Sequence, residues 1–118
     1  MTNPRHILGT YGEQLACDYL ISKNYEVLDR NWRCSLGEID LVAKDQDTLV
    51  FVEVKTRNGR GFGHPFEAIT EPKRKRLRKL SHAWLEANAA PAGSIRIDAV
   101  SILVAGGLVE IEHLKQVF

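Results

Sequence analysis

The sequence predicts a mixed α/β fold in the order α-β-β-β-α-β-β, with helices packed on a mixed sheet. Two stretches carry apolar residues at helical spacing, and the segments between them are rich in valine and isoleucine at strand spacing. A short polar turn at Asp45-Gln46-Asp47 ties the second strand to the third as an antiparallel hairpin. The chain has 118 residues, enough for a single core, so residues 1–118 are read as one domain.

The elements follow in order. Residues 9–23 read as a helix, with Leu15, Tyr19 and Ser22 on one face, Ala16 and Leu20 beside it, and Asn24 as its stop. Residues 25–32 alternate loosely as a strand, with Tyr25, Val27 and Asp29 on one face. Residues 38–44 and 48–56 are the hairpin strands. In the second of these Val50, Val52 and Val54 fill one face, and Leu49 and Phe51 fill the other, which continues into Glu53 and Lys55. Apolar residues on both faces predict a central strand covered on each side. Residues 57–65, with Gly59, Gly61 and Gly63, read as a flexible loop, and residues 66–69 as the start of a helical turn. Pro72 suits a first helical position, and Leu77, Leu80, Trp84 and Ala87 then mark a helix to residue 88. Strands at 95–104 and 108–111, joined by Ala105-Gly106-Gly107, complete the order.

Composition sets limits. The net charge of +1 gives no bulk signal for a polyanionic partner, so the distribution of charge matters more. Cys17 and Cys34 have no metal-type spacing. They read as reduced thiols of a cytoplasmic protein, with a disulfide between them as the alternative. The first residues lack an apolar signal core, and no apolar run approaches the ~20 residues of a membrane span, so no membrane partner is expected.

One constellation could carry chemistry. Asp40 lies on the first hairpin strand, and Glu53 and Lys55 project from one face of the second. The turn between them brings Asp40 opposite the region of Glu53, within one or two pairs. Charge inside apolar strands is costly unless it is paired or binds a metal. Two carboxylates there suit magnesium, a hard cation that prefers oxygen ligands and keeps several waters, with the Val54 carbonyl as a further ligand. Such a site fits phosphodiester cleavage, with Lys55 orienting water or offsetting charge on the phosphate oxygens. Glu13, on the first helix, is a further ligand or ligand-orienting group if that helix docks over the sheet. The bland alternative is a structural ion-pair network or a solvent-facing set.

A second signal is the run Lys73-Arg74-Lys75-Arg76 followed by Arg78, Lys79 and His82, a uniformly basic face on one helix. It suits phosphate-backbone contacts, which position a nucleic acid without reading its sequence. Arg57 and Arg60 in the glycine-rich loop could clamp the same partner. A solvated face is the bland reading. Trp32 and Trp84 read as core or sheet cover, and His6, His64, His82 and His113 have no ligand spacing to one another. Arg96 and Asp98 read as a structural pair or as support for the site, with Asp98 as a metal ligand the minority option.

Several of these residues resemble a known family. Gly12-Glu13, Asn31, Gly37-Glu38-Ile39-Asp40, Phe51-Val52-Glu53-Val54-Lys55-Thr56-Arg57, Phe62-Gly63, Glu67-Ala68, Lys73 and Arg96-Ile97-Asp98 together resemble the uncharacterised bacterial family typified by YraN. That family is similar to the archaeal Holliday junction resolvases, and so to the PD-(D/E)XK nuclease superfamily. The resemblance implies a restriction-endonuclease-like mixed sheet flanked by helices. It implies Glu13, Asp40, Glu53 and Lys55 as active-site positions, and it places Ser35 near a resolvase serine. Asp40 follows Ile39 rather than proline, so the literal P-D is missing.

The expectation is a nuclease-like domain: a magnesium- or manganese-dependent endonuclease for branched or structured DNA, acting as a homodimer. Asp40 and Glu53 hold the metal, Lys55 orients water or phosphate, and Glu13 assists. Arg57, Arg60, Lys73, Arg74, Lys75, Arg78 and Lys79 hold the nucleic acid. The alternatives are a non-catalytic nucleic-acid-binding module with the same fold, and a protein-interaction domain whose basic helix meets an acidic partner.

Overall fold

A computed structural model describes residues 4–59, 70–91 and 93–117, with side chains from residue 7 onward. Its elements are α1 (Pro4–Ser22), β1 (Glu26–Cys34), β2 (Gly37–Asp45), β3 (Thr48–Asn58), α2 (Glu71–Ala87), β4 (Ser94–Ala105) and β5 (Leu108–Leu114). This is the predicted order. The strands form a sheet in chain order, β1-β2-β3-β4-β5. Neighbours are antiparallel except β3 and β4, which are parallel and joined through α2. A parallel pair needs such a crossover, whereas the antiparallel pairs close with tight turns. Among the described residues no helix is long and apolar enough to cross a membrane.

Each face of the sheet carries its own core. On one face Ala16, Cys17 and Leu20 of α1 pack on Leu41, Ala43, Val50, Val52, Val100 and Ile102. On the other, Leu77, Leu80 and Trp84 of α2 pack on Ile39, Val42, Phe51, Ile97 and Ala99. The alternation read from β3 therefore holds. The buried stripe of α1 is centred on Ala16 and Leu20 rather than on Leu15, Tyr19 and Ser22, and Ser22 is exposed. Cys17 and Cys34 pack on opposite faces and are free thiols, so no disulfide joins them.

Element ends follow local chemistry. Pro4 opens α1 ahead of the predicted start, because proline suits a first helical position. α1 ends as expected at Asn24, whose φ is +68°. Tyr25 N–H then donates to Leu20 O at 3.0 Å and Asn24 N–H to Ile21 O at 3.0 Å, the paired bonds of a Schellman cap. β3 runs to Asn58, beyond the expected residue 56, because it stays paired with β4 to Val104. The rest of the expected loop, with Arg60, and the expected turn at 66–69 lie outside the described residues. Asp29 does not share a face with Val27. The register shifts between them, and the Asp29 carboxylate instead accepts from Trp84 Nε1 at 3.0 Å on the α2 side.

The α1 face also holds a buried polar network. Asp98 has no solvent exposure. It accepts from Arg96 Nε at 2.8 Å and Nη2 at 3.1 Å, from His113 Nε2 at 2.7 Å and from Gln116 N–H at 3.0 Å. Arg96 also donates to Tyr25 OH at 2.7 Å and to Asp45 at 3.2 Å. With its Nε2 proton on Asp98, His113 is left to accept at Nδ1 from the Tyr19 hydroxyl, 3.3 Å away. The network ties α1, the start of β1, the β2–β3 turn, β4, β5 and the segment after it. It explains why β5 extends past the predicted residue 111: His113 fills an inward position as a satisfied polar group. Burial alone would push the Asp98 carboxyl up, but the bonds from His113, Arg96 and Gln116 outweigh it and hold the carboxyl below its ordinary value of 3.8.

A group held down in the native state stabilises above its unfolded pKa, and that contribution is lost as pH falls through the lower native value. Asp98→Asn should therefore cost roughly 1–3 kcal/mol in urea unfolding at pH 7, because it removes the charge that Arg96, His113 and Gln116 share and leaves half-buried Arg96 with Asp45 alone. The difference from wild type should shrink on acidification below about pH 4.

Candidate active site at the parting of two strands

The hairpin register places the two strand acids. Pairing runs from Asp45↔Thr48 to Leu41↔Val52. Continued by one position, Asp40 falls opposite Glu53, as the turn predicted. At that point the strands part. β2 continues along β1 to Gly37↔Cys34, while β3 continues along β4 to Asn58↔Val104. Alternation in β2 also breaks here, since Ile39 and Val42, three positions apart, share the α2 face while Leu41 takes the α1 face. Asn31, the β1 position facing Asp40, has a φ of +51°. The rung missing from the ladder is replaced by a side chain: Val54 N–H donates to Asp40 Oδ2 at 2.8 Å. A strand residue points its N–H and C=O to the same side, so the Val54 carbonyl faces the same opening.

The electrostatics of this opening differ from those of the Asp98 network. Burial pushes the Asp40 carboxyl from 3.8 up to about 7, and the charge of Glu53 adds to the push. The Val54 N–H opposes it, and Glu13 and Glu38 contribute further repulsion. Glu53 is also raised by burial, against the pull of Lys73, Arg76 and Lys55. The half-buried pair is thus under-compensated by protein cations. That is the condition a divalent ion relieves, and magnesium is commonly held by one or two carboxylates with water completing its shell. Asp40, Glu53 and the Val54 carbonyl fit that need. Among the described residues no group of three or more acidic, histidine or cysteine side chains forms a ready-made metal cage.

Of the remaining predicted residues, Glu13 acts on the charge of Asp40, and Lys55 and Lys73 act on that of Glu53, while Arg60 lies outside the described residues. Gly12 meets β3 so closely that a Cβ there would run into the Thr56 side chain, and this contact seats α1 with Glu13 half-buried near Asp40. Lys55 is exposed and near enough to Glu53 to stabilise its charge. Arg57 lies at the end of β3, paired in register with Leu103. The basic residues of α2 do not form a single stripe. Lys73, half-buried, and Arg76, exposed, both act on the charge of Glu53, Arg74 is half-buried with Nη1 3.9 Å from Glu71, and Lys75, Arg78 and Lys79 are exposed on the opposite side of the helix. Asp98 is not part of the site: it lies on the α1 face with its oxygens taken by Arg96, His113 and Gln116. Reading by type missed Arg76 and Glu38 as neighbours of the acids. The spacing Lys73, Arg76, Leu77, Leu80 carried the signal for Arg76, since it extends the sheet-facing stripe by one turn.

Comparison with known proteins agrees with the motif residues. Residues 12–102 match the uncharacterised protein family UPF0102. The chain is 50% identical over 111 residues to a UPF0102 protein of Beutenbergia cavernae, covering 93% of this chain and 94% of that protein. It is 49% identical over 115 residues to one of Nocardia farcinica, covering 97% and 91%. It is 50% identical over 103 residues to one of Streptomyces griseus, covering 86% and 87%. The chain belongs to the UPF0102 family, the YraN-type family its motifs resemble.

A carboxyl raised by folding makes its stabilising contribution below its unfolded pKa and loses it as pH climbs through the native value. Without divalent ions, wild-type stability should fall between about pH 4 and pH 7 as Asp40 ionises. Asp40→Asn keeps an acceptor for Val54 N–H and removes the charge. In urea unfolding with EDTA it should be more stable than wild type by roughly 2–4 kcal/mol at pH 8, with little gain at pH 4.

Proposed function

We propose that the protein is a magnesium- or manganese-dependent DNA endonuclease that hydrolyses phosphodiester bonds in branched or otherwise structured DNA. On this reading it is a cytoplasmic relative in kind of the Holliday junction resolvases. The observation that carries the reading is the meeting of Asp40 and Glu53 where β2 and β3 part, with Lys55 beside Glu53.

Asp40 and Glu53 hold the cation. With Oδ2 fixed by Val54 N–H, the Asp40 carboxylate has a set orientation and offers Oδ1 to a ligand. When bound there, a divalent ion polarises the phosphate and lowers the pKa of the attacking water. Lys55 carries donors and no acceptor, so it acts as a cation, holding the water's lone pair or a non-bridging phosphate oxygen. Glu13, near enough to act on the charge of Asp40, orders water around the pair. In the reaction a water oxygen bonds to phosphorus and gives up a proton to solvent, the P–O bond to the leaving sugar oxygen breaks, and that oxygen takes up a proton from solvent. The exposed Lys75, Arg78 and Lys79 hold flanking phosphates, with Arg57 at the end of β3. One chain offers one such centre, and cutting two strands of a junction needs two, which favours a homodimer.

With manganese and a synthetic four-way junction, Glu53→Ala and Lys55→Ala should each lower the cleavage rate by about 10²–10³-fold, with junction affinity within a few-fold of wild type. Affinity should fall steeply with salt. Binding that survives in a wild-type protein unable to cut the junction or any other DNA would instead favour the non-catalytic binding module.

A further inference from the structure

The inner side of α2 holds cations that backbone binding alone does not explain. Phe51 and Trp84 meet edge to face at 5.7 Å, near the start of β3 and the end of α2. Helix and strand thus run in opposite senses, and the first turns of α2 lie over the far end of β3, where Glu53 shares a face with Phe51. At helical spacing Lys73, Arg76, Leu77 and Leu80 lie on one side of α2, and Lys75, Arg78, Lys79 and His82 on the other. The Arg76 stem passes over the β1–β2 turn, where a Cβ on Gly37 would lie 3.8 Å from Arg76 Cδ and 3.7 Å from Leu80 Cδ1. Arg76 is exposed, so its stem lies along the start of β2 with its head in solvent, and its charge reaches Glu53 and lowers that carboxyl's pKa.

We propose that Arg76, seconded by Lys73, belongs to the reacting centre: its guanidinium holds a non-bridging oxygen of the scissile phosphate from the side opposite the carboxylate pair. This rests on the nuclease reading above and divides the basic helix into two functions. Lys75, Arg78 and Lys79 position the flanking backbone, whereas Arg76 acts where charge builds. The charge balance supports the division. Two carboxylates and one divalent ion sum to zero, so the extra negative charge on the phosphate in the transition state falls to Lys55, Lys73 and Arg76. A planar guanidinium suits that task because it pairs bidentately with phosphate oxygens. The same positive charges stand near the acid pair when no metal is bound, so they compete with a metal for it.

The test compares Arg76→Ala, Arg76→Lys and Lys79→Ala. Titrated with manganese alone, Arg76→Ala should bind the ion several-fold more tightly, because one repelling charge has gone. Arg76→Lys and Lys79→Ala should stay near wild type. On a manganese-loaded four-way junction, Arg76→Ala should slow single-turnover cleavage by about 10²-fold with junction affinity within about 3-fold, and Arg76→Lys should fall between. Lys79→Ala should instead weaken junction binding and make the salt slope smaller by about one. An Arg76→Ala protein that tracks Lys79→Ala, or that keeps wild-type manganese affinity, overturns the proposal. If the wild-type protein cuts no DNA, the nuclease reading falls, and the manganese titration alone decides whether Arg76 belongs to the acid centre.

Discussion

The structure depends on one interruption, the point where β2 leaves β3. Up to Leu41↔Val52 the hairpin is a regular ladder whose two faces feed two cores. One position further, a ladder rung is exchanged for the bond from Val54 N–H to the Asp40 carboxylate. That exchange opens the sheet and leaves a backbone carbonyl without a strand partner on β2. It also fixes one acid beside another in a place too dry for both to ionise easily. A continuous ladder would give a better sheet and no site.

The sheet holds one buried aspartate and one half-buried aspartate in opposite electrostatic conditions. Asp98 receives hydrogen bonds from Arg96, His113 and Gln116 and is held below its ordinary range. It fastens α1, β4, β5 and the segment after β5 to one another. Asp40 receives the bond from Val54 N–H, faces Glu53 and is pushed up to about 7. The two are connected, because the Asp98 network holds α1 through Tyr19, and α1 delivers Glu13 to the opening through the close contact of Gly12 with Thr56.

Much of this was legible in the sequence, and the rest was not for identifiable reasons. Element order, the two-faced β3 and the opposition of Asp40 and Glu53 follow from strand alternation and a short turn, which are local. Asn24 as the end of α1 follows from its tolerance of a left-handed φ. The errors arise where tertiary context overrides periodicity. A register shift in β1 turns Asp29 toward Trp84. A histidine in an inward strand position looks like a strand end until Asp98 and Tyr19 are seen to satisfy it. The basic run of α2 looks uniform when read by residue type and splits when read by helical position, with Lys73 and Arg76 acting on the charge of Glu53 and Lys75, Arg78 and Lys79 on the opposite side.

On the proposed reading, the opening between β2 and β3 is an ion site built by two carboxylates. Crystals soaked in manganese and measured at its absorption edge test it without reference to any substrate. An ion held by the pair gives an anomalous peak between the carboxylates of residues 40 and 53, within about 2.0–2.3 Å of an oxygen from each. Strong manganese peaks elsewhere on the molecule, with none between these two side chains, would contradict it.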